Sequence, residues 1–82
     1  MNRYDIPLPH IEGAQSEIVV TAWLKQPGDS VRVGDIVAEV STDKVNVEIA
    51  SPVSGTLESI LVHEGTTVVE GTPIACIVVP RS

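Results

Sequence analysis

Residues 23–40 (WLKQPGDSVRVGDIVAEV) and residues 60–77 (ILVHEGTTVVEGTPIACI) align without a gap at an offset of 65 − 28 = 37 positions. Identical pairs are Leu24/Leu61, Gly28/Gly65, Val31/Val68, Gly34/Gly71 and Ala38/Ala75, and the pairs Val37/Ile74 and Val40/Ile77 are conservative. Glycine marks places where the backbone needs a positive φ or a tight bend. Two glycine-centred turns at one spacing between the same apolar positions therefore fix the path of both halves. Two copies are too few for an open solenoid, which needs three or more units. The repeat predicts a closed pair of halves related by an approximate twofold axis.

Both halves are written in short apolar runs bounded by turn residues: YDIPL (4–8), EIVVTAWLK (17–25), SVRV (30–33), IVAEVS (36–41), VNVEIA (45–50), TLESILV (56–62), TVV (67–69) and PIACIVV (73–79). Residues 17–25 could pass as helical, but their β-branched cluster and the stop at Pro27-Gly28 favour a strand. Val45, Val47 and Ile49 alternate with Asn46 and Glu48 at period two, the pattern of a half-buried strand. Aromatic residues are 2% of the chain, Tyr4 and Trp23 alone, so the core must be built from Val, Ile, Leu and Ala. Trp23 aligns with Ile60 and should fill the core or its margin. The expected fold is an all-β sandwich or flattened barrel.

The 82 residues, 43% of them hydrophobic, suffice for a single domain over 1–82 with one core and are too few for a catalytic cleft between two domains. A formal net charge of −6 argues against nucleic acid or an anionic membrane as partner, because both are bound through clustered Lys and Arg. Proteins with basic patches are the expected partners. Cys76 is the single cysteine, so no internal disulfide forms. With no apolar run near the ~20 residues of a membrane span and no signal-peptide segment at MNRYDIPLPH, the expected compartment is the cytoplasm, or the mitochondrial matrix if a presequence has been removed.

One feature interrupts the strand pattern: in VSTDKVNVEIASP (40–52) an Asp-Lys pair, Asp43-Lys44, separates two apolar runs. Residues 41–44 have the length of a tight hairpin connection, in which Asp favours turns by accepting backbone N–H bonds. Lys44 then projects from the tip. Its counterpart at 44 + 37 = 81 is Arg81, so the hairpin should lie at the opposite end of the domain from the C-terminus. Most lysines on hairpin tips are simply solvated. A solvated ammonium is a poor nucleophile at neutral pH, so any acyl group on it must be installed by a dedicated enzyme that reads the folded hairpin.

The run EVSTDKVNVEIASPVSGTL, with WLKQPGDSVRVGD before it and EGTTVVEGTPI after it, resembles the lipoyl domain of the dihydrolipoamide acyltransferase components of 2-oxo acid dehydrogenase complexes, within the biotin/lipoyl attachment family. The resemblance covers nearly the whole chain. It implies a barrel-sandwich hybrid of two four-stranded sheets, lipoic acid in amide linkage on Lys44, and recognition of the flanking Asp43 and Val45 by a lipoate ligase or lipoyl transferase. It further implies a swinging-arm carrier without catalysis of its own. The arm would be reductively acylated by a thiamine-diphosphate-dependent 2-oxo acid decarboxylase, deliver acyl to coenzyme A at the acyltransferase core and be reoxidised by dihydrolipoyl dehydrogenase. Tethering raises the local concentration of the carried group at each site. The isolated domain is expected to be monomeric.

The chain departs from the family where a Gly-rich, acidic segment often follows the first strand. Here the text is LPHIEG (8–13) and AQS (14–16), so His10, Ile11, Glu12, Gly13, Ala14, Gln15 and Ser16 inherit a partner-contact role from position alone. The rival with the same fold, a biotin carboxyl-carrier domain, places Met on both sides of its lysine, whereas Asp43 and Val45 stand here. An unmodified interaction module is the remaining alternative; it predicts that Lys44 is dispensable.

An enzyme in its own right is not expected. Ser41 and Ser54 lack a His-carboxylate arrangement, and neither His10 nor His63 has the Cys or carboxylate spacing of a metal site. His63 aligns with Gln26 beside a glycine turn and reads as surface. Cys76 aligns with Glu39 and reads as a packed or edge-strand thiol.

Overall fold

The computed structural model describes residues 2–11 and 17–80. Among the described residues there are eight strands, β1 (Asn2–Pro7), β2 (Ile18–Trp23), β3 (Ser30–Val31), β4 (Ile36–Ser41), β5 (Asn46–Ala50), β6 (Gly55–Ile60), β7 (Thr67–Val68) and β8 (Pro73–Val79). They form two antiparallel four-stranded sheets, ordered β1-β8-β6-β3 and β5-β4-β2-β7. Shifting the second order by half of the strand count gives the first, with β4 exchanging for β8, β2 for β6, β5 for β1 and β7 for β3. The twofold relation expected from the repeat is thus present in the topology.

It extends to single hydrogen bonds. Gly28 N donates to Leu57 O as Gly65 N donates to Val20 O, both at 2.8 Å, and Leu24 N–Val37 O has its mate in Leu61 N–Ile74 O, both at 2.9 Å. The four repeat glycines, Gly28, Gly34, Gly65 and Gly71, have φ between 86° and 99°, the left-handed region that side chains with a Cβ avoid. At the first two turns an Asp completes the corner: Gln26 N donates to Asp29 Oδ2 (2.8 Å) and Arg32 N to Asp35 Oδ2 (2.9 Å).

The inward faces of both sheets supply the core, in which Ile6, Leu8, Val20, Val31, Val37, Val40, Leu57, Ile74 and Ile77 are almost completely buried. Each contributes roughly 1.5–3 kcal/mol by leaving water. Trp23 packs against the margin of this cluster, and its indole N–H donates to Val62 O at 2.9 Å, so the polar edge of the ring is satisfied where β2 and the end of β6 meet. From that meeting point the two halves run apart. β4 leads to Ser41, paired with Val19, while β8 leads the other way to Val79, paired with Asn2. The hairpin at Lys44 and the paired end strands β1 and β8 therefore lie at opposite ends of a molecule 40 Å long; Arg81 itself is outside the described residues.

Two sequence expectations need correction. The runs at 30–33 and 67–69 shrink to two-residue strands, because each pairs with one neighbour only, at the edge of its sheet. The β4–β5 ladder continues through Ser41↔Asn46, so the connection is 42–45 rather than 41–44. Val45 consequently belongs to the tip and is 48% exposed, not an inward strand position. Of the two readings of Cys76, packed or edge-strand, the packed one holds: β8 lies between β1 and β6, and the residue is 6% exposed, beneath the Asp5 and Glu58 side chains.

Candidate functional site at the Lys44 hairpin

β4 and β5 present Thr42, Asp43, Lys44 and Val45 as a four-residue tip. Its shape is set by the threonine. Thr42 N donates to Val45 O at 2.8 Å, closing the ladder, and Thr42 Oγ1 accepts from both Lys44 N and Val45 N at 3.1 Å. The same hydroxyl donates to Val45 O at 3.3 Å, and Ser41 Oγ donates to Thr42 O at 3.2 Å. The sequence argument gave the turn-forming role to Asp43; the structure gives it to Thr42. Threonine two residues before a tip lysine is the recognisable signal, since Ser and Thr hydroxyls close such turns as Asx side chains do.

Asp43 and Lys44 are left exposed by this arrangement. Among the described residues neither side chain makes a hydrogen bond or ion pair, so both are presented outward together with Val45. Beside the tip lies a shallow hollow of about 340 Å³ lined by Glu17, Val19, Thr21, Ser41, Thr42 and Asp43, with two carboxylates and no cation in its walls. Lys44 is thus an accessible amine on a fixed turn. Among the described residues no three Cys, His, Asp or Glu side chains gather as a metal site.

The segment after β1 is anchored at its root. Leu8 is buried, its N donates to Thr72 O and its O accepts from Gly71 N, both at 2.9 Å. His10 Nδ1 lies 2.8 Å from Glu70 Oε1, tying the exposed ring to the turn before β8, and Ile11 is buried in the core. The other residues of the expected contact loop, Glu12, Gly13, Ala14, Gln15 and Ser16, lie outside the described residues. His63 is exposed, as its alignment with Gln26 suggested.

With this geometry in place, comparison with known proteins is decisive. The model of the biotin/lipoyl family, described as biotin-requiring enzymes, matches residues 5–77. The chain belongs to this family. Within the biotin/lipoyl family it is 41% identical over 73 residues to the dihydrolipoyllysine-residue succinyltransferase component of the 2-oxoglutarate dehydrogenase complex of Staphylococcus saprophyticus, covering 89% of this chain and 17% of that protein. It is 47% identical over 71 residues to the dihydrolipoyllysine-residue acetyltransferase component of the pyruvate dehydrogenase complex of Corynebacterium glutamicum, covering 87% of this chain and 10% of that protein. The chain thus spans less than a fifth of the length of these relatives. Among solved structures, the lipoyl domain of the 2-oxoglutarate dehydrogenase complex from Azotobacter vinelandii superposes with a TM-score of 0.72 at 28% identity, covering 90% of this chain and 94% of that one. The likeness is to lipoyl domains of acyltransferase components, with the two-sheet fold described above.

Proposed function

We propose that this chain is a lipoyl carrier: lipoic acid is joined in amide linkage to Lys44 Nζ, and the domain carries it between the active sites of a 2-oxo acid dehydrogenase complex. The observation that carries this reading is Lys44 itself, exposed and without a side-chain partner among the described residues, at the tip of a fixed hairpin in a chain related to proteins named for a dihydrolipoyllysine residue. The residues present fit the group, since an amide on a protruding amine needs no cavity. When bound, the dithiolane supplies a reversible disulfide that takes up an acyl group and two electrons. The protein's own part is to fix the attachment point and to be recognised. Lys44 supplies the amine, while Asp43 and Val45 offer an anionic and an apolar contact on either side of it. The root of the 8–11 segment, held by the His10–Glu70 contact, contributes to docking on the decarboxylase.

In this reading the domain performs no catalysis alone. A thiamine-diphosphate-dependent decarboxylase loads the arm, the acyltransferase core unloads it and dihydrolipoyl dehydrogenase restores the disulfide. The test is intact mass after incubation with lipoate ligase, lipoate and ATP, beside a Lys44→Arg variant and a parallel biotin ligase reaction. One lipoyl increment on the wild type and none on Lys44→Arg is expected. A biotinyl increment alone would move the chain to the carboxylase carriers, and no increment on folded protein would make it an unmodified module.

A further inference from the structure

The turns of this molecule are fixed in two different ways. At residues 26–29 and 32–35 a glycine with positive φ sets the backbone, helped by Asp29 or Asp35. The tip at 42–45 contains neither glycine nor proline, and among the described residues no residue other than glycine has a positive φ. Its backbone is therefore in conformations open to any residue; the ladder-closing Thr42 N–Val45 O bond fixes the two ends of the tip, and Asp43 and Lys44 between them have no glycine or proline to select their path. The selection comes from the Thr42 hydroxyl, whose oxygen takes the N–H groups of Lys44 and Val45 while its hydrogen points to Val45 O.

Resting on the carrier reading above, we propose that Thr42 is a positioning residue for the modification of Lys44: its hydroxyl holds the tip in the one shape that the lipoylating enzyme reads. Thr42 does not touch the reacting amine. It acts through the backbone of Lys44, fixing where the Cα–Cβ bond of the lysine points and keeping Asp43 and Val45 on their two sides of it. Without the hydroxyl, the N–H groups of Lys44 and Val45 turn to water, which they can reach at an exposed tip, so the loss to the fold is small. The loss to recognition is larger. The tip becomes an ensemble, and an enzyme that binds one member of it sees an affinity reduced by the fraction of chains in that conformer.

That distinction sets the test. Steady-state lipoylation by lipoate ligase with lipoate and ATP is measured on the wild type, on the isosteric Thr42→Val and on Thr42→Ser, which keeps the hydroxyl. KM for the domain should rise about tenfold in Thr42→Val with kcat changed by less than about twofold, because the loss falls on formation of the competent conformer and not on the chemical step. Thr42→Ser should restore KM to within about twofold of wild type. Amide exchange at Lys44 and Val45 should quicken in Thr42→Val and return in Thr42→Ser, while the melting temperature of all three stays together. Equal KM in wild type and Thr42→Val overturns the proposal, as does a Thr42→Ser variant as poor as Thr42→Val. A wild-type chain that takes no lipoyl group overturns the carrier reading and this one with it; a wild type that is modified normally while Thr42→Val is unaffected overturns only this one.

Discussion

Gly55 opens β6 beside β8, and its role is close approach, not turn geometry. A Cβ built on it collides with the backbone O of Val78 and comes to 2.9 Å from Ile77 Cγ2 and 3.0 Å from Val78 C. The Ile77 methyl could rotate away, but the Val78 carbonyl cannot, because β8 is held on both sides by β1 and β6. Gly55→Ala must therefore push two strands apart at Thr56↔Val78 or bend β6. Overpacking against side chains typically loses 1–3 kcal/mol, and a backbone obstacle places this variant at the upper end, about 3 kcal/mol. For a domain of this length that is about 15 °C in Tm. Gly34→Ala is the control: its Cβ meets open space, so only the strain of φ +91° remains, about 1 kcal/mol or about 5 °C. Thermal and urea unfolding of both variants give the comparison. A Gly55→Ala domain that melts with the wild type, or above Gly34→Ala, refutes the close-packing argument.

Two further outcomes are expected. Trp23→Phe keeps the ring in the core margin but removes the donor to Val62 O, and should lose about 1 kcal/mol in urea unfolding; no change would mean that water replaces the indole N–H. For Cys76, burial pushes the thiol up, aided by a hydrogen bond that the thiol donates to Asp5 and by the charges of Glu58 and Asp5, with Arg3 opposing. Its folded pKa lies above the unfolded one, so this stabilisation is complete below the unfolded value of about 8.5 and is lost as pH rises through the folded value. Wild type should therefore lose stability relative to Cys76→Ser between neutral pH and about pH 10, and parallel declines of the two melting temperatures would contradict it.

What the sequence made legible was whatever the backbone itself demanded. The glycine turns at 28, 34, 65 and 71 carry a conformational requirement written in one letter, and from their spacing the twofold pairing of β4 with β8 and β2 with β6 follows. Lys44 was legible because a charged pair broke an apolar pattern. The ends of the ladder were not: period-two alternation runs through Val45 whether or not a partner strand is still opposite it, and only the Ser41↔Asn46 pairing shows where bonding stops. Thr42 was passed over in favour of Asp43 because both residue types close turns, and which oxygen reaches the N–H groups depends on the local path of the chain. The role of Gly55 was not legible, since nothing in a sequence tells a glycine needed for φ from one needed for room against a strand 22 residues away (77 − 55).

Under the proposed carrier function, the twofold relation also explains why such a duplicated fold suits the task. It creates two equivalent sheet ends, and the chain uses them differently: one is closed by the hairpin bearing Lys44, the other by the paired strands carrying Asn2 and Val79. Asn2 and Val79, near the two ends of the described chain, lie at the end remote from the lysine, in a body 40 Å long. On the proposed function, an arm on Lys44 would sweep from the far side of the domain, so that the reach of a linker, the length of the domain and the length of the arm would add instead of overlapping. With a flexible linker the effective concentration at a target site is greatest when the total reach matches the span, and falls to nothing when it is shorter. The rigid body contributes its share of that reach without the entropy that an equally long flexible segment would lose on docking. Placing the lysine on a turn that is not at an end of the sheets would forfeit that share.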